Sequence, residues 1–490
     1  MELNLNIDPT QLPKDPDSAK RTIYVPPYRQ RELDMLLQSL PHRSGEVAHS
    51  STDSIYGRVP FSLLGKELVS HPIFQLTGKK HQLSFIYERY QGGTHTRKAH
   101  LMGAYWVVLR YLESLIERYQ LVEVSPQTIL AVVYATLLHD VGHYAHSHTF
   151  DIMEGVLPDH EWLTAQIIMH SELADILEFY GVSPLRVAEL IDPSVNGLTH
   201  KEDELLLPLV SGSLDADKTD YIIRDARNLN VPLGINYDSI ADCFVVVPWE
   251  NKGKRLAIHS RWLAEVQAFL NARVELYQIG ILNPDSRIMS EQLVAAVWRG
   301  MEVGALTRDP LEFWGLGDEA LIDKLRGQYV GKTMPLETRE LAEELYLGRS
   351  FPVVREISPI VREVFDNLVQ LRGQFEQKKN LERRLAAALS TIVGIDIPTH
   401  HILISLPNPP KDFLKDLLVY SPNPAEGRET IESFAEASGM SSDVLLNRQT
   451  ANQNVLIAAH PSVSDLLRQM DILMPVLLRA LNETLDERES

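Results

Sequence analysis

Apolar residues recur every three or four positions along two stretches in the first third of the chain. Between residues 98 and 120, Leu101, Tyr105 and Val108 fall on one face of a helix. Between residues 126 and 142, almost every position is apolar until the chain reaches a His-Asp pair. Because a helix that is apolar all round is buried, the pattern predicts a long amphipathic helix and a second helix in the centre of the domain.

Weaker periodicity predicts the remaining elements. Helices are predicted over residues 159–180, 202–210 and 217–228, from residue 261 to about residue 393 with a Pro/Gly-rich break near 331–336, and over 463–485. Two β-rich runs predict a hairpin over 243–260, and short strands are predicted in the segments that begin at His400 and Lys415. Residues 1–50 lack periodicity and predict an irregular arm. The fold class is therefore mainly α, with a small β-hairpin and a helical C-terminal region that contains short strands.

The length and composition indicate a folded chain with more than one cooperative unit. The sequence has 490 residues, of which 44% are hydrophobic, and single cores stop growing at roughly 250–300 residues. The printed start has neither a basic nor an apolar signal region, and no apolar run approaches the roughly 20 residues that span a bilayer. The one cysteine, Cys243, cannot form an intramolecular disulfide. We therefore expect a cytoplasmic protein that is not inserted in a membrane.

The charge balance limits the class of partner. Acidic residues outnumber basic ones by 66 to 47, which gives a net charge of −19. A field of this sign repels long polyanions, so duplex nucleic acid is disfavoured. A small anion is still compatible with the charge, because a metal ion and a few local cations can dominate a pocket.

Histidines and carboxylates are concentrated where the predicted central helix ends. The segments 137–151 and 158–162, together with His100, hold six of the 17 histidines. At the end of the helix His139 and Asp140 can both reach one ion, and imidazole with carboxylate suits Zn, Fe or Mn. A single histidine is more often an ordinary hydrogen-bonded residue, and for His146 the neighbours predict no specific role. Clustering favours a metal centre for the set.

Three motifs resemble those of a known family. His100 preceded by Thr-Arg, then His139-Asp140, then Asp217 in the segment LDADKTDYIIRDA is similar to the H…HD…D quartet of the HD superfamily. The segment HDVGHYAHSHTFD, the HEW that follows it and DADKTDYIIRD resemble the deoxynucleoside triphosphate (dNTP) triphosphohydrolases, which include the vertebrate SAM-and-HD-domain protein and bacterial dGTPases. The resemblance covers about residues 53–300.

The resemblance implies a metal centre with an adjacent acid–base group. The implied metal ligands are His100, His139, Asp140 and Asp217, which would hold one divalent ion (Mn, Fe, Zn or Mg), with a further Mg carried by the triphosphate. The implied catalytic residues are His143, His148, Asp151, His160 and Glu161. Among them His148, oriented by Asp151, is the expected acid or base nearest the α-phosphate, with His160 and Glu161 as a relay.

The resemblance also implies a deoxynucleotide pocket. The implied substrate contacts are Gln82, Leu83, Arg97, Lys218, Tyr221, Asp225 and Arg273. Lys218 and Arg273 would contact phosphates, Tyr221 and Asp225 the sugar, and Gln82 and Leu83 the edge of the sugar. Arg97 matches a further substrate-contacting arginine. The chain departs from the family at Asn283, where a histidine is expected, and at Ser70 and Gly78, which cannot make the charged contacts of the family's guanine activator site. Activation by GTP in that mode is therefore not expected.

Three readings of the function remain open. The first is an enzyme that hydrolyses dNTPs to deoxynucleoside and inorganic triphosphate. The second is an HD phosphodiesterase or nucleotidase on cyclic or mono-nucleotides, with extra histidines holding a second metal. The third is a nucleotide-sensing regulatory or antiphage protein with residual hydrolysis. The predicted divisions are an arm over 1–50, an HD phosphohydrolase domain over 51–300, and a mainly helical region over 301–490 with room for a homo-oligomer interface.

Overall fold

A computed structural model of the chain describes residues 34–40, 42–43, 47–249, 253–327, 333–423, 428–450, 453–470 and 472–489. Most of the described residues are helical, which confirms the predicted fold class. In this part of the chain, no helix combines the length and the apolar character that crossing a membrane requires.

The helices and strands follow one another along the described residues. The α-helices are α1 (Leu63–Ser70), α2 (Pro72–Leu76), α3 (Arg97–Glu117), α4 (Pro126–Leu138), α5 (His160–His170), α6 (Glu172–Phe179), α7 (Pro184–Ile191), α8 (Lys201–Val210), α9 (Ala216–Asn228), α10 (Tyr237–Ala241), α11 (Leu263–Leu276), α12 (Pro284–Glu302), α13 (Pro310–Trp314), α14 (Asp318–Leu325), α15 (Leu336–Tyr346), α16 (Arg362–Val369), α17 (Phe375–Val393), α18 (Phe434–Ser438), α19 (Ser442–Thr450), α20 (Pro461–Gln469) and α21 (Leu473–Glu489). The strands are β1 (His49–Asp53), β2 (Gly57–Phe61), β3 (Phe244–Pro248), β4 (Lys254–His259), β5 (Val353–Ile357), β6 (Ile402–Ser405), β7 (Leu418–Asn423), β8 (Arg428–Ser433) and β9 (Val455–Ala459). Short 3-10 turns, among them Ser147–Met153 and Thr399–His401, and one π-helical turn, Tyr277–Ile281, connect them.

Helices α3, α4 and α9 form the centre of the site-bearing half. Each begins at a side chain that accepts a hydrogen bond from the first turn: Thr96 for α3, Ser125 for α4 and Asp215 for α9. Helix α4 is buried along almost its whole length, as its apolar sequence predicts. Helix α3 packs against both α4 and α9, so the ends of these three helices meet at one place.

The strands form three small sheets. Strands β1 and β2 pair antiparallel, as do β3 and β4, which confirms the predicted hairpin. The second sheet has the order β3-β4-β7-β8, with β4 and β7 parallel, and the third has the order β5-β9-β6. The two short strands predicted after His400 and Lys415 are β6 and β7. Strands β1, β2, β5, β8 and β9 were not predicted.

Several predicted helices have different bounds in the structure. The helix predicted over 126–142 ends at Leu138, and residues 139–142 form a turn. The helix predicted over 159–180 is interrupted at Ser171, whose side chain accepts a hydrogen bond from Leu173 N and so begins a new helix. The helix predicted over 463–485 is two helices, α20 and α21. Helical periodicity continues across each break, which is why the sequence pattern missed it.

Two other predictions need correction or lie partly outside the described residues. Strand β5 lies inside the stretch 261–393 that was predicted to be helical. Part of the predicted arm is ordered, because residues 34–39 are helical and both Leu36 and Leu40 are buried. Residues 1–33 of the arm, and residues 328–332 at the predicted break, lie outside the described residues.

The buried residues form two large cores. Along the sequence the main core runs from Leu36 to Ala458, and it includes apolar side chains of α3, α4, α9 and α12 together with some from β6 and β9. A second core lies among α16, α17, β6, β9, α20 and α21. Helix α12, whose side chains belong to the main core, runs through the predicted boundary at residue 300. The division into three domains stays a prediction.

Candidate metal centre and adjoining histidine group

The four predicted metal ligands converge on one point. His100 Nε2 lies 3.0 Å from Asp217 Oδ1, and His139 Nε2 lies 3.5 Å from the same oxygen. An oxygen of Asp140 lies 3.5 Å from His139 Nε2, and the other lies 3.8 Å from His100 Nε2. The buried Nε2 atoms of both histidines have no hydrogen-bond partner in the protein. Two imidazole nitrogens and two carboxylates that face one point in this way are a donor set that fits a divalent metal ion.

Three helix ends place these side chains. His100 lies in the first turn of α3, Asp217 lies in the first turn of α9, and His139 and Asp140 directly follow α4. Because α4 ends at Leu138, His139 and Asp140 lie in a turn and can both face the same point. The sequence predicted the pair at a helix end, and the structure places it there.

Hydrogen bonds on the far side of each ring orient the two histidines. His139 Nδ1 lies 2.8 Å from Thr136 O, which can only accept, so this nitrogen carries the proton. His100 Nδ1 lies 2.8 Å from Asp220 Oδ2. In both rings Nε2 is therefore the nitrogen that faces the centre, as in histidines that bind metals.

A buried network holds Asp220 in turn. Arg224 donates two hydrogen bonds of 2.8 and 2.9 Å to Asp220 and a third, of 2.9 Å, to Asp53. Gly103 of α3 lies so close to Asp220 that a Cβ atom at this position would be 2.0 Å from its Oδ1. The absence of a side chain at Gly103 thus lets α9 approach α3 closely enough for Asp220 to reach His100.

The carboxylates favour positive charge at the centre. Burial alone would raise the pKa of Asp140, but Arg97, His139 and His143 hold it well below its usual value. Burial would lower the pKa of His100, yet the neighbouring carboxylates of Asp217 and Asp220 raise it to about 10. Arg97, 1% exposed, pairs directly with Asp140, and its Nε donates to Ser147 Oγ at 3.0 Å. Its Nη2 has no partner in the protein.

A second histidine group adjoins the centre. The rings of His143 and His160 are stacked with their centroids 3.7 Å apart, and the ring of His148 meets that of His143 edge-on at 4.7 Å. Burial, with the nearby Arg97 guanidinium, holds the pKa of His143 well below its usual value, while burial and the positive charge of His148 lower the pKa of His160 to about 4. His143 Nε2 lies 3.2 Å from Asp140 Oδ1 and joins the group to the metal centre.

His148 is the accessible member of this group. Its side chain is 59% exposed, and its Nδ1 lies 3.0 Å from Asp151 Oδ2. Both residues lie in the 3-10 turn Ser147–Met153. The backbone is left-handed at His146, directly before this turn, and at Ser147, its first residue. The predicted pairing of His148 with Asp151 is present. Glu161 is exposed in the first turn of α5, and its place in a relay stays a prediction.

The predicted phosphate contacts lie beside the metal centre. Lys218 Nζ lies 2.6 Å from Asp215 Oδ2 and 3.8 Å from Asp217 Oδ2. Burial would lower the pKa of Lys218, but the charges of Asp215 and Asp217 raise it, so the amine is charged. Tyr221, one turn along α9, lies near Lys218 and Arg273, whose charges act on it. The Arg273 guanidinium lies 3.6 Å from the centroid of the Phe413 ring.

The predicted sugar contacts meet around a histidine that the sequence analysis did not single out. His95 Nε2 lies 2.8 Å from Asp225 Oδ1, and the backbone N–H of Gln82 donates to His95 O at 3.0 Å. The side-chain Oε1 of Gln82 and the Nδ1 of His95 are buried without a partner. Leu83 follows Gln82 and packs against the main core. The position of His95, two residues before Arg97, was the available signal.

Lys80 was also missed. Its buried Nζ donates to His143 O at 2.6 Å and to Trp314 O at 2.7 Å, and burial lowers its pKa to about 7. Its backbone O accepts a hydrogen bond from Arg97 N. Lys80 therefore holds the loop that carries His143, a role that requires a partner 63 residues away and leaves no local pattern.

Comparison with known proteins gives relatives over part of the chain. No family model matches. An uncharacterised protein of Mycoplasma genitalium is 31% identical over 238 residues, which are 46% of this chain and 54% of that protein. The deoxynucleoside triphosphate triphosphohydrolase SAMHD1 of Bos taurus is 27% identical over 213 residues, 38% of this chain and 36% of that protein. A protein of Acanthamoeba polyphaga mimivirus described as HD domain-containing is 24% identical over 243 residues, 45% of this chain and 51% of that protein.

These matches span about half the length of the Mycoplasma and mimivirus proteins and about a third of bovine SAMHD1. Among solved structures, a hypothetical protein of Aquifex aeolicus matches with a TM-score of 0.63 at 22% identity, covering 86% of this chain and 99% of that one, and so shares its fold. At modest identity, the sequence relatives confirm the resemblance that the motifs indicate: the chain is a homologue of HD-domain proteins, which include the SAMHD1 deoxynucleoside triphosphate triphosphohydrolases.

Proposed function

We propose that this protein is a metal-dependent phosphohydrolase that converts a dNTP to the deoxynucleoside and inorganic triphosphate. The observation that carries the proposal is the convergence of His100, His139, Asp140 and Asp217, with the accessible pair of His148 and Asp151 beside them. HD-domain relatives, one of them named for this activity, support an HD-domain hydrolase.

The residues divide the work of hydrolysis. A divalent ion held by the four ligands would polarise a phosphoryl oxygen and lower the pKa of a water. His148 is exposed and can exchange a proton with the leaving 5′-oxygen, because its Nδ1 is held by Asp151 and its Nε2 is left to act. His143 and His160, with lowered pKa values, are neutral at pH 7 and keep an excess of positive charge away from His148.

Cations beside the metal centre suit a triphosphate. Lys218 and Arg97 each lie next to a metal-ligand carboxylate, and Arg273 lies near Lys218. Arg97 has a guanidinium nitrogen without a protein partner, which a phosphate oxygen can accept. These cations can hold a trianionic chain despite the net charge of −19.

The sugar would lie against Tyr221 and Asp225. The ring of Tyr221 would pack against the 2′ carbon and leave no room for a hydroxyl, and the group of Gln82, His95 and Asp225 would receive the 3′-hydroxyl. The unpartnered Gln82 Oε1 and His95 Nδ1 support a polar ligand at this place.

A panel of substrates tests the proposal. The purified protein is incubated with each dNTP and NTP in Mn, Mg or Co, and the products are separated, with Asp140→Ala as the control. We expect deoxynucleoside and triphosphate from dNTPs, little turnover of NTPs, and no product from Asp140→Ala. A nucleoside monophosphate as the product would contradict the proposal.

The second candidate is a two-metal phosphodiesterase or nucleotidase. One observation favours it: ligand atoms of His143, His148 and His160 all lie within 4.8 Å of one another, as a second metal would require. The metal content decides between the two. One tightly bound ion per chain in the centre formed by His100, His139, Asp140 and Asp217 supports triphosphate release, whereas an additional ion lost on His160→Ala, with cyclic-nucleotide turnover, supports the second candidate.

The third candidate is a dNTP sensor with residual hydrolysis. It would use the same site as the first candidate, but dNTP binding would serve to drive assembly of the protein. We propose a homo-oligomer formed through the region 301–490. The size of the protein in solution, measured with and without dNTPs, tests this. A sensor whose biological effect survives His139→Ala and Asp140→Ala would displace the catalytic account.

A further inference from the structure

A third group of histidine and carboxylate side chains lies in the C-terminal half. Glu340 belongs to helix α15, His400 and His401 end the 3-10 turn before β6, and His460 begins helix α20. Strands β6 and β9 pair antiparallel with Ile402 opposite Ala459, so His401 and His460 flank the same end of the ladder. None of these residues belongs to the metal centre or to the first histidine group.

The ligand atoms of this group are close enough to share an ion. One ligand atom each from Glu340, His400 and His401 lie within 4.8 Å of one another. His400 Nε2 is already 3.0 Å from Glu340 Oε2. In a tetrahedral zinc site, bonds of about 2.0–2.1 Å set the ligand atoms roughly 3.3 Å apart. Small rotations of side chains would bring the three donors to that spacing.

Hydrogen bonds within the protein do not account for every buried polar atom of this group. The Nδ1 atom of His401 is buried and has no partner in the protein. The ring of His401 is stacked on that of His460, with centroids 4.1 Å apart and planes at 15°. The His400 ring meets the His401 ring edge-on at 4.5 Å. Three imidazoles this close repel one another when protonated and are compatible when neutral, which is the form that binds metals.

We propose that Glu340, His400 and His401 form a second metal site, for one borderline transition ion of the Zn²⁺ class, with His460 stacked against it. Two imidazoles and one carboxylate suit such an ion and leave a fourth position for water. The proposal does not depend on the hydrolase activity, because the site shares no residue with the catalytic centre.

The site would join the two cores. Leu341 and Leu345, on the same helix as Glu340, are buried in the main core, while Ile402 and Ile404, which directly follow the two histidines, are buried in the second core. An ion bound here would tie α15 to the end of β6 and stabilise the contact between the cores. The expected role is structural, since binding to the folded state alone raises stability.

Zinc binding by the full-length protein tests the site. The protein is stripped with a chelator and titrated with Zn²⁺ alone, and bound zinc per chain and the melting temperature are measured. The variants are His139→Ala, which disables the catalytic centre, His400→Gln with His401→Gln, and the combination of all three substitutions. His170→Ala, a substitution of an exposed histidine in the last turn of α5, is the matched control.

The proposal expects His139→Ala to retain one zinc per chain that raises the melting temperature, and the combined variant to lose it. His170→Ala should bind zinc as the unsubstituted protein does. If the combined variant still binds that zinc, or if His139→Ala binds none, the proposal is wrong. Glu340→Gln provides a second test in case the histidine variants do not fold. The Glu340 side chain is 47% exposed, so its substitution should disturb folding little. In the His139→Ala background it should fold and bind this zinc at least tenfold more weakly, and unchanged affinity would also contradict the site.

Discussion

The hydrogen bonds of the histidine Nδ1 atoms distinguish the roles that are proposed for these residues. His139 donates a hydrogen bond from Nδ1 to Thr136 O, and His100 Nδ1 is hydrogen-bonded to Asp220, so both direct Nε2 inward. His148 differs from these two buried histidines, because its ring is largely exposed and its Nδ1 is paired with the carboxylate of Asp151. Under the proposed function, equivalent side chains would thus divide into ligands and a proton carrier according to burial and the partner of the second nitrogen.

His148→Ala should slow turnover strongly without removing the metal. We expect kcat to fall by about 10²–10⁴-fold, the usual contribution of a positioned acid or base. Because the side chain is 59% exposed, the melting temperature should change little. Steady-state kinetics and metal content measure both effects, with His170→Ala as the control. Loss of metal together with activity would instead make His148 a ligand.

A buried glutamate outside the site gives a prediction for pH. Burial would raise the pKa of Glu113, but its hydrogen bond to His42 and the charges of Arg43 and Arg110 lower it to about 2, from an ordinary value of 4.5. A folded-state pKa below the unfolded one means that folding favours the ionised form. Its contribution to stability is complete above about pH 4.5 and is lost as the pH falls toward 2.

Glu113→Gln should therefore lower the free energy of unfolding at pH 7, and the difference from the unsubstituted protein should shrink as the pH falls below 4.5. Urea unfolding at several pH values measures it. Glu123→Gln is the control, since the Glu123 side chain is 73% exposed in its pair with Lys254. A difference that stays constant from pH 7 to pH 3 would contradict the assignment.

Site residues that belong to short sequence motifs could be predicted from the sequence. Residues whose roles depend on partners far away in the sequence could not. The predicted metal ligands His100, His139, Asp140 and Asp217 belong to recognisable motifs, and the structure brings them together. Lys80 has no such signal, because its role depends on a partner 63 residues away. The position of His95 close to Arg97 was a weak signal, since its partner Asp225 is 130 residues away.

At the scale of elements, close contact between α3 and α9 positions the ligands. Both helices were predicted from their periodicity, as was the central helix α4. Their ends were less predictable, since a side-chain cap such as Ser171 can stop a helix within a continuous apolar pattern. Strand β5 was not predicted because its partner, β9, lies about 100 residues later in the sequence. The local sequence pattern does not indicate such a distant partner.

Gly103→Ala tests the contact between these helices. A Cβ atom at this position would meet Asp220 Oδ1 at 2.0 Å and Arg224 Nη2 at 2.2 Å. The helices must separate to admit it, so we expect a loss of more than about 2 kcal/mol in the free energy of unfolding and weaker metal binding. Gly234→Ala is the matched control, because a Cβ there meets nothing within 4 Å. Equal stability of the two variants would contradict the close approach.

At the scale of the whole molecule, the candidate metal centre lies among helices of the main core, and the two cores share helix α17 and strands β6 and β9. Helix α12 contacts both the 3-10 turn that carries His148 and strand β6 of the second core. Helix α12 therefore connects the loop that carries His148 with strand β6 of the C-terminal region. Its mainly helical character was predicted from periodicity, whereas its β-sheet of order β5-β9-β6 was only partly predicted.

The central claim is that water attacks the α-phosphorus of a dNTP and that the nucleoside keeps its 5′-oxygen. The most direct measurement is turnover of a dNTP in ¹⁸O-labelled water, followed by mass spectrometry of both products. The account predicts one labelled oxygen in inorganic triphosphate and none in the deoxynucleoside. Label in the deoxynucleoside, or a labelled nucleoside monophosphate with unlabelled pyrophosphate, would contradict it.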